Sequence, residues 1–373
     1  MKHLVCMQGL LLLLGSFAFT AHAAFSSIYI FGDSVSTTLS NQPSASFYGR
    51  RESNGRVWVE VLAQRQGLGA TSLTSTNWNF SSNNLSFYGH YSTLLVTNVN
   101  NFVAPANASN CLFVIWVCNA DFVGDLTANP PPVSTNLATW TNLINQHIAN
   151  HYKAITNLYA KGMRALVAPN AVDLIKVPQY NGAAITSPGY HNFVRQRIIE
   201  FNTAYAAKLH QIKTDCPGLV IYPADIFTLM ENVEATAADY GLTNVLDING
   251  QVTSALQNFA SPALNGPATN YIWWDPITPS ARFNEVIADA VQPMISPPTI
   301  AGLVPINGSN RLDLVNMPVG LKGQVSYSIA INPPVWTTNT FCVCSNLTES
   351  VFVLPTNPIG FYRLRFPYAW SWP

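Results

Sequence analysis

The feature that most constrains the fold is a run of seven consecutive apolar residues, CLFVIWV, at Cys111 to Val117. A strand that is buried on both faces reads as such a continuous run, whereas a strand with one face in water alternates. Shorter runs of β type recur along the chain, namely SIYIFG at 27–32, MRALVAP at 163–169 and GLVIYP at 218–223. The chain therefore predicts several buried strands of a parallel sheet.

Segments with helical periodicity separate these strands. Apolar residues at three- and four-residue spacing, with glycine or proline near the ends, predict helices at 57–65, 134–161, 192–213, 225–240 and 279–291. Alternation of strand and helix over this length predicts a parallel sheet covered on both faces. In such a sheet, ligands bind at the carboxyl ends of the strands.

The pattern changes at SPPT, residues 296–299. Beyond it the sequence alternates, as in GFYRLRF, where Tyr362, Leu364 and Phe366 share one side and the two arginines share the other. We therefore assign residues 24–296 to the α/β domain and residues 299–373 to a small β-rich accessory module.

The first 23 residues have the features of a signal peptide. Lys2 and His3 precede the apolar run LLLLGSFAFTA, and Ala21-His22-Ala23 has the small-x-small pattern of a cleavage site. A membrane anchor is the alternative, but the run is short for spanning and lacks a positive flank on its far side. We expect a secreted or periplasmic protein with no integral membrane segment after signal removal.

The charge balance bears on the partners. Lys and Arg number 18, as do Asp and Glu, and charged residues make up 10% of the chain, against about 25% in an average soluble domain. No long-range field would attract nucleic acid or an anionic membrane. We therefore predict a small-molecule, lipid or glycan ligand without nucleic acid, and we find no sequence pattern for a metal or a cofactor.

Two motifs resemble those of a known protein family. IFGDSVS ends the first predicted strand, and SNGRVWVEVLA follows about twenty residues later. Together with the strand that leads into NADF and a late Asp before a helix, they resemble the GDSL esterase and lipase family, also called SGNH hydrolases, over residues 26–291. The resemblance implies a three-layer α/β/α, flavodoxin-like fold and an ester hydrolase that forms an acyl-enzyme on Ser34.

The base of this chemistry is missing from its expected place. A serine hydroxyl is a weak nucleophile unless a neighbouring base takes its proton. In the family that base is a histidine three residues after an aspartate, and here the aspartate is Asp275 but the histidine position is Thr278. Loss of the base lowers turnover by on the order of a millionfold in a well-studied serine protease. We therefore expect slow turnover, with His90 and His191 as candidate substitute bases.

The resemblance also implies an oxyanion hole. It would consist of the Ser34 amide, Gly89 in SFYGHYS and an asparagine from a Gly-x-Asn-Asp motif, which here reads Cys-Asn-Ala-Asp at 118–121. In strict register the asparagine has become Ala120, and Asn119 lies one place early. A one-residue slip would reverse the side chain within a strand, whereas a bulge on a loop could absorb it. We keep Asn119 as a candidate donor.

Other polar residues are assigned structural roles. Asp33 and Asp121 are expected to bond backbone amides near the nucleophile. Three histidines in predicted helices, His147, His151 and His210, are expected to face solvent.

Two hypotheses remain open. The first is a secreted GDSL-type ester hydrolase of the esterase, lipase or acetylesterase class with reduced turnover. The alternative is a catalytically inactive SGNH-fold protein that binds a glycan or a lipid in the same cleft.

Overall fold

The computed structural model describes residues 25–38, 47–49, 51–68, 83–130, 137–330, 332–354 and 360–366, without the side chains of 183–186. The predicted signal peptide, residues 1–23, lies outside the described residues.

A parallel sheet forms the centre of the α/β region. Its strands are β1 (Ser27–Gly32), β2 (Cys111–Trp116), β3 (Ala165–Val167) and β4 (Val220–Tyr222), in the spatial order β1-β2-β3-β4. All six residues of β2 are buried, as its apolar run predicted for a strand covered on both faces.

A short edge segment completes the flavodoxin-like order. The Ile30 amide donates to the Asn83 carbonyl at 2.9 Å, and the Leu85 amide donates to the Ile30 carbonyl at 2.8 Å, so this segment runs parallel to β1 on its outer side. Numbered along the chain with this segment as the second strand, the spatial order becomes 2-1-3-4-5, as in flavodoxin-like sheets.

Nine helices occur in the described α/β region. They are α1 (Trp58–Arg65), α2 (Ser92–Asn101), α3 (Cys118–Ala128), α4 (Leu137–Ala160), α5 (Pro178–Thr186), α6 (Pro188–Asp215), α7 (Ile226–Ala235), α8 (Ala255–Asn258) and α9 (Ala281–Ile295). They pack in two groups, with α1 against α9, and α4 against both α2 and α6. The fold class predicted from the sequence, a parallel sheet with flanking helices, is confirmed.

Some predicted elements differ from the observed ones. The helix predicted at 225–240 stops at Ala235, and a 3-10 turn, Ala237–Tyr240, follows Thr236. Helices α2 and α3 were not predicted. In particular, Asn119 lies in the first turn of α3, so the expectation of a strand or a bulged loop at this position is wrong.

The C-terminal β module is built from antiparallel strands: β5 (Thr299–Ile306), β6 (Ser309–Val315), β7 (Lys322–Ser328), β8 (Thr337–Val343), β9 (Thr348–Val353) and β10 (Phe361–Arg365). They form two three-stranded sheets, β10-β7-β8 and β5-β6-β9. Phe366 is buried in the small core of the module, and Tyr362 and Leu364 pack against it, as the alternation in GFYRLRF predicted. The exact domain boundary at 296–299 stays a prediction.

The β module contacts the end of α1. The Val319 amide donates to the Arg65 carbonyl at 3.3 Å, and Arg65 Nη1 donates to the Val319 carbonyl at 3.1 Å. Across the described ranges, no helix is long and apolar enough to cross a membrane.

Candidate active site

The order of the strands locates a crevice. After β1 the chain moves to the outer edge segment, whereas after β2 it continues toward β3, so the two connections diverge at the carboxyl ends of these neighbouring strands. Ligands bind at such a switch point in open α/β sheets. The loop after β1 carries Asp33 and Ser34, and α3 follows β2 almost directly.

Ser34 begins a single 3-10 turn, Ser34–Ser36. Asp33 caps this turn, and its Oδ1 accepts a hydrogen bond from the Val35 amide at 3.2 Å. Ser34 is half-buried and borders a cavity of about 80 Å³. Within the described part of the chain, no residue forms a hydrogen bond with Ser34 Oγ.

The cavity brings together residues from distant parts of the chain. Ser34, Gly89 and Asn119 border it, and so do Ile277 and Pro279, the two neighbours of Thr278. The remaining lining is mainly apolar and includes Tyr91, Trp116, Val123, Ile226, Met230, Trp273, Phe283 and Ile287. Such a lining suits the apolar part of a small-molecule ligand.

The side-chain amide of Asn119 has a fixed orientation. Its Oδ1 accepts a hydrogen bond from the Val172 amide at 3.0 Å, which leaves Nδ2 as the group that can donate to a ligand. On a helix, a one-residue shift rotates a side chain by about 100° and does not reverse it. Both Asn119 and Ala120 accordingly border the cavity. The slip in the third motif is therefore compatible with a donor at position 119.

Gly89 lies in a tight turn that borders the same cavity as Ser34. It has a φ of +70°, which is strained for residues with a Cβ atom, and the Tyr91 amide donates to its carbonyl at 2.9 Å. A Cβ atom at Gly89 would lie 3.7 Å from the Tyr91 ring, so the requirement for glycine is conformational and not steric.

Asp275 organises the turn that carries Thr278. Its Oδ1 accepts hydrogen bonds from the amides of Ile277 at 2.8 Å and Thr278 at 2.6 Å. Burial raises the pKa of Asp275, while these backbone amides oppose the rise. The carboxylate thus holds the backbone of the turn.

Thr278 does not itself border the cavity, although both of its neighbours do. It is 1% exposed, and its Oγ1 donates to Oε2 of Glu52 at 3.4 Å. Glu52 is itself 3% exposed, and its charge acts on Asp33. Sequence reasoning missed Glu52; the signal was the charged pair Arg51-Glu52 directly before SNGR, in a chain with few charges.

His90 does not lie at the rim of the site, which corrects the sequence-based expectation. It is 0% exposed and stacks on Phe87 with ring centroids 4.1 Å apart. Its Nδ1 donates to the Gly32 carbonyl at 2.9 Å, and its Nε2 accepts from Asn98 Nδ2 at 3.0 Å. Burial lowers the pKa of His90 to about 4. With both nitrogens engaged, the ring supports the end of β1 and is not placed to take a proton from Ser34.

His191 lies in the first turn of α6, at the helix start that the sequence predicted. Its Nδ1 contacts Asn192 Oδ1 at 3.2 Å, and the ring is not part of the cavity lining. The geometry therefore gives neither candidate substitute base a direct path to Ser34.

His147 and His151 are buried, so the prediction that they face solvent is wrong, whereas His210 is exposed. His147 Nε2 lies 2.7 Å from Asp125 Oδ2, and its Nδ1 lies 3.2 Å from Ser92 Oγ. Burial opposes protonation of His147, but the Asp125 and Asp121 carboxylates raise its pKa above the ordinary value. Although Ser92, His147 and Asp125 have the composition of a hydrolase triad, Ser92 is 0% exposed, so this cluster joins α2, α3 and α4 and does not face substrate.

Two buried carboxylates, Asp33 and Asp121, belong to the segments that follow β1 and β2, and Asp33 borders the cavity. Burial raises the pKa of Asp33 to about 7 and that of Asp121 to about 6. Asp33 caps the nucleophile turn, and Asp121 Oδ1 accepts from the Ser92 amide at 2.8 Å. Both carboxylates accept from backbone amides, as predicted from the sequence.

A family model described as GDSL-like Lipase/Acylhydrolase matches residues 28–291. Two curated relatives from Arabidopsis thaliana, both named GDSL esterase/lipase, are 25% identical over 210 residues and 26% identical over 219 residues. These alignments cover 52% and 56% of this chain, and 55% and 60% of the relatives. The chain thus spans little more than half the length of the relatives it matches.

Among solved structures, the crystal structure of TesA is similar to this chain with a TM-score of 0.37 and 15% sequence identity. The comparison covers 73% of this chain and 98% of that one. A second structure, an alpha/beta hydrolase enzyme from the metagenome of Lake Arreo, Spain, has a TM-score of 0.35 and 13% identity, and covers 74% of this chain and 97% of its own.

Proposed function

The chain belongs to the GDSL-like lipase/acylhydrolase family, and we propose that it is a secreted serine ester hydrolase of low turnover that acts through Ser34. The observation that carries the proposal is that Ser34, Gly89 and Asn119 all border one apolar cavity. Secretion rests on the signal-peptide pattern of residues 1–23.

The proposed reaction proceeds through an acyl-enzyme. Ser34 Oγ adds to the ester carbonyl carbon, and the developing oxyanion accepts hydrogen bonds from the Ser34 amide, the Gly89 turn and Asn119 Nδ2. The bond to the alcohol then breaks, and the alcohol leaves with the proton that Ser34 loses through solvent. Water attacks the acyl-enzyme, which releases the carboxylic acid and restores the serine hydroxyl.

Low turnover follows from the absence of a base at Ser34 among the described residues. Preorganised donors and binding alone leave on the order of a thousandfold rate enhancement over water in a serine protease stripped of its triad. The small, apolar cavity supports esters of short acyl groups as the substrate class. Glycan and small-molecule esters with short acyl chains fit this description.

The test compares hydrolysis of short-chain nitrophenyl esters by wild type, Ser34→Ala and Thr278→His. We expect slow turnover by wild type that is lost in Ser34→Ala, and faster turnover by Thr278→His, because an imidazole beside Ile277 and Pro279 has the cavity within its reach. Equal rates for wild type and Ser34→Ala would refute catalysis through Ser34.

One observation favours the alternative function, a binding protein without catalysis. Thr278, at the family's histidine position, is 1% exposed and does not border the cavity, and its hydroxyl contacts Glu52. If wild type is inactive while Thr278→His gains activity, the cavity is an intact ester site without its base. Binding of glycan or lipid esters to Ser34→Ala, measured by calorimetry, would then support the alternative.

A further inference from the structure

A second cavity lies where the α/β region meets the β module. It has a volume of about 470 Å³ and is bordered by residues of α1, the start of α9, and Gly320 and Leu321 of the β module. Three arginines, Arg56, Arg65 and Arg282, and two carboxylates, Glu285 and Asp289, line it. The cavity is separate from Ser34, since the two share no lining residue.

Two of the three arginines have carboxylate partners. Arg65 Nε lies 2.7 Å from Asp289 Oδ1, and Arg282 Nη1 lies 2.7 Å from Glu285 Oε2. Because each carboxylate in the lining is matched by one of these arginines, the charge that remains is that of Arg56.

Arg56 is buried without a carboxylate partner in the described structure. It is 8% exposed, and its Nη2 donates to the neutral Gln64 Oε1 at 2.9 Å. Its Nη1 is buried and has no hydrogen-bond partner among the described residues. Glu60, whose charge acts on Arg56, is already engaged by Arg51 and by the Val57 amide, the latter at 2.9 Å.

A guanidinium remains charged in proteins, and burying it without a counter-charge is unfavourable. The planar fork of its N–H groups matches the oxygens of a carboxylate or a phosphate. We propose that the junction cavity is a binding site for a small oxyanion, a molecule with a carboxylate or phosphate group, and that Arg56 is its main ligand. This site is independent of the proposed esterase function.

Occupation would link the two parts of the chain, because the cavity is lined by α1, α9 and the 320–321 loop. A ligand that binds the folded state alone raises stability in proportion to the logarithm of its concentration over its Kd. The site is therefore detectable as anion-dependent stability.

The experiment measures the thermal unfolding of the full chain with sodium phosphate, sodium acetate or sodium chloride at matched ionic strength. We expect a saturable rise in Tm with phosphate or acetate that chloride does not reproduce. Comparison of the two salts identifies which oxyanion the site prefers. Equal curves in all three salts would overturn the proposal.

Matched arginine variants separate the site from general salt effects. Arg56→Met should weaken the apparent affinity at least tenfold and, without oxyanion, should be no less stable than wild type because it removes an unpaired buried charge. Arg363→Met is the control: Arg363 is exposed on β10, over the Trp336 ring at 4.3 Å, and its loss should leave the anion effect unchanged. An unchanged anion effect in Arg56→Met would overturn the proposal.

Ala281→Leu provides a test that keeps the guanidinium. Ala281 borders the cavity, and a larger side chain there occupies part of the ligand's space. If Arg56→Met does not fold, Ala281→Leu must still reduce the anion-dependent rise in Tm. Retention of the full rise in Ala281→Leu would contradict binding in this cavity.

Discussion

Asp33 caps the turn that carries Ser34, and its carboxyl group is buried. Its Oδ1 accepts the Val35 amide and shapes the turn that carries Ser34, whereas its Oδ2 is buried and, among the described residues, has no partner at normal hydrogen-bond geometry, although the Ala120 amide also acts on the carboxylate. Burial is the largest influence on this group and raises its pKa to about 7. The turn that carries Ser34 is therefore held by a carboxyl group whose pKa is about 7, so that it is mainly neutral below that pH.

The raised pKa predicts a pH-dependent stability. An unfolded aspartate has a pKa near 3.9, so between about pH 4 and pH 7 the folded state binds more protons than the unfolded state. The contribution of Asp33 is thus fully present below pH 4 and is lost as the pH rises through 7. Between pH 4 and pH 8 we expect ionisation of Asp33 to lower the free energy of unfolding of wild type by about 2–4 kcal/mol. Asp33→Asn keeps the cap but cannot ionise, so this part of the decrease should be absent from the variant. Urea unfolding across this pH range gives the free energy of unfolding of both proteins. The same pH dependence in wild type and Asp33→Asn would contradict the raised pKa of Asp33.

Asn119 provides a second prediction for a single residue, which depends on the proposed esterase. We expect Asn119→Ala to lower kcat by about 10²–10³ in the Thr278→His variant, because one oxyanion donor is worth that much. Asn119→Asp is the matched control: it keeps an oxygen for the Val172 amide but loses the Nδ2 donor. A normal kcat in Asn119→Asp would show that the contact with Val172 matters and the donor does not.

Among the elements, α1 and α9 hold the nucleophile loop. Trp58 Nε1 donates to Ser36 Oγ at 3.0 Å, and the Trp58 amide donates to Asn284 Oδ1 at 2.9 Å. Asn284 Nδ2 in turn donates to the Ser280 carbonyl at 3.0 Å. The buried Asn284 amide therefore ties the start of α9 to the start of α1, and the Trp58 indole ties α1 to the turn after β1.

This geometry predicts the effect of losing the Asn284 amide. Asn284→Ala should lower the free energy of unfolding by about 1–3 kcal/mol, since the Trp58 amide would be left buried without a partner. Asn258→Ala is the control, because Asn258 is exposed at the end of α8 and its loss should cost less than about 0.5 kcal/mol. Similar values for the two variants in urea unfolding would argue against the tie between α1 and α9.

The same elements show how far the sequence could predict the fold. The buried strands were readable because an uninterrupted apolar run is what a covered parallel strand requires. Helix α3 was not, because Cys118-Asn119-Ala120-Asp121 directly after the strand has the polar, short residues of a loop. Its helical signal, Phe122 and Leu126 at i and i+4, was too short to stand out from the motif.

The candidate site was predictable only in part, for a related reason. Motif spacing identified Ser34, Gly89 and Asn119, which border one cavity, although their catalytic roles stay predictions. The contact between Glu52 and Thr278 joins residues 226 positions apart, and no local pattern encodes it. Likewise, the engagement of both His90 nitrogens depends on Gly32 and Asn98, which tertiary packing brings together.

For the whole molecule, the junction between α1 and the β module is a tight contact between backbone and side chains. Gly320 has a φ of +87°, and a Cβ atom there would lie 2.4 Å from Gln64 Nε2 and 3.1 Å from Arg65 Nη1. Gly67 at the end of α1 similarly faces Leu347, which a Cβ atom would meet at 3.0 Å. Small residues at these points let the module lie close to the α/β region.

Gly308 allows the contribution of that close approach to be isolated. It has a φ of +81°, nearly the same as Gly320, but a Cβ atom at Gly308 would meet nothing within 4 Å. Gly308→Ala therefore measures the backbone strain alone, about 1–2 kcal/mol, whereas Gly320→Ala adds the clash with α1. Gln64 and Arg65 meet the added methyl with the ends of long side chains, which are themselves held by Arg56 and Asp289, so we expect Gly320→Ala to lower the free energy of unfolding by about 1 kcal/mol more than Gly308→Ala. Because Gly320 also borders the junction cavity, its variant should in addition show a weaker response to oxyanions, whereas Gly308→Ala should respond as wild type does. Equal stability losses in urea unfolding would mean that the Gln64 and Arg65 side chains or the β module move aside without cost, and the junction would then be a loose contact and not a packed interface.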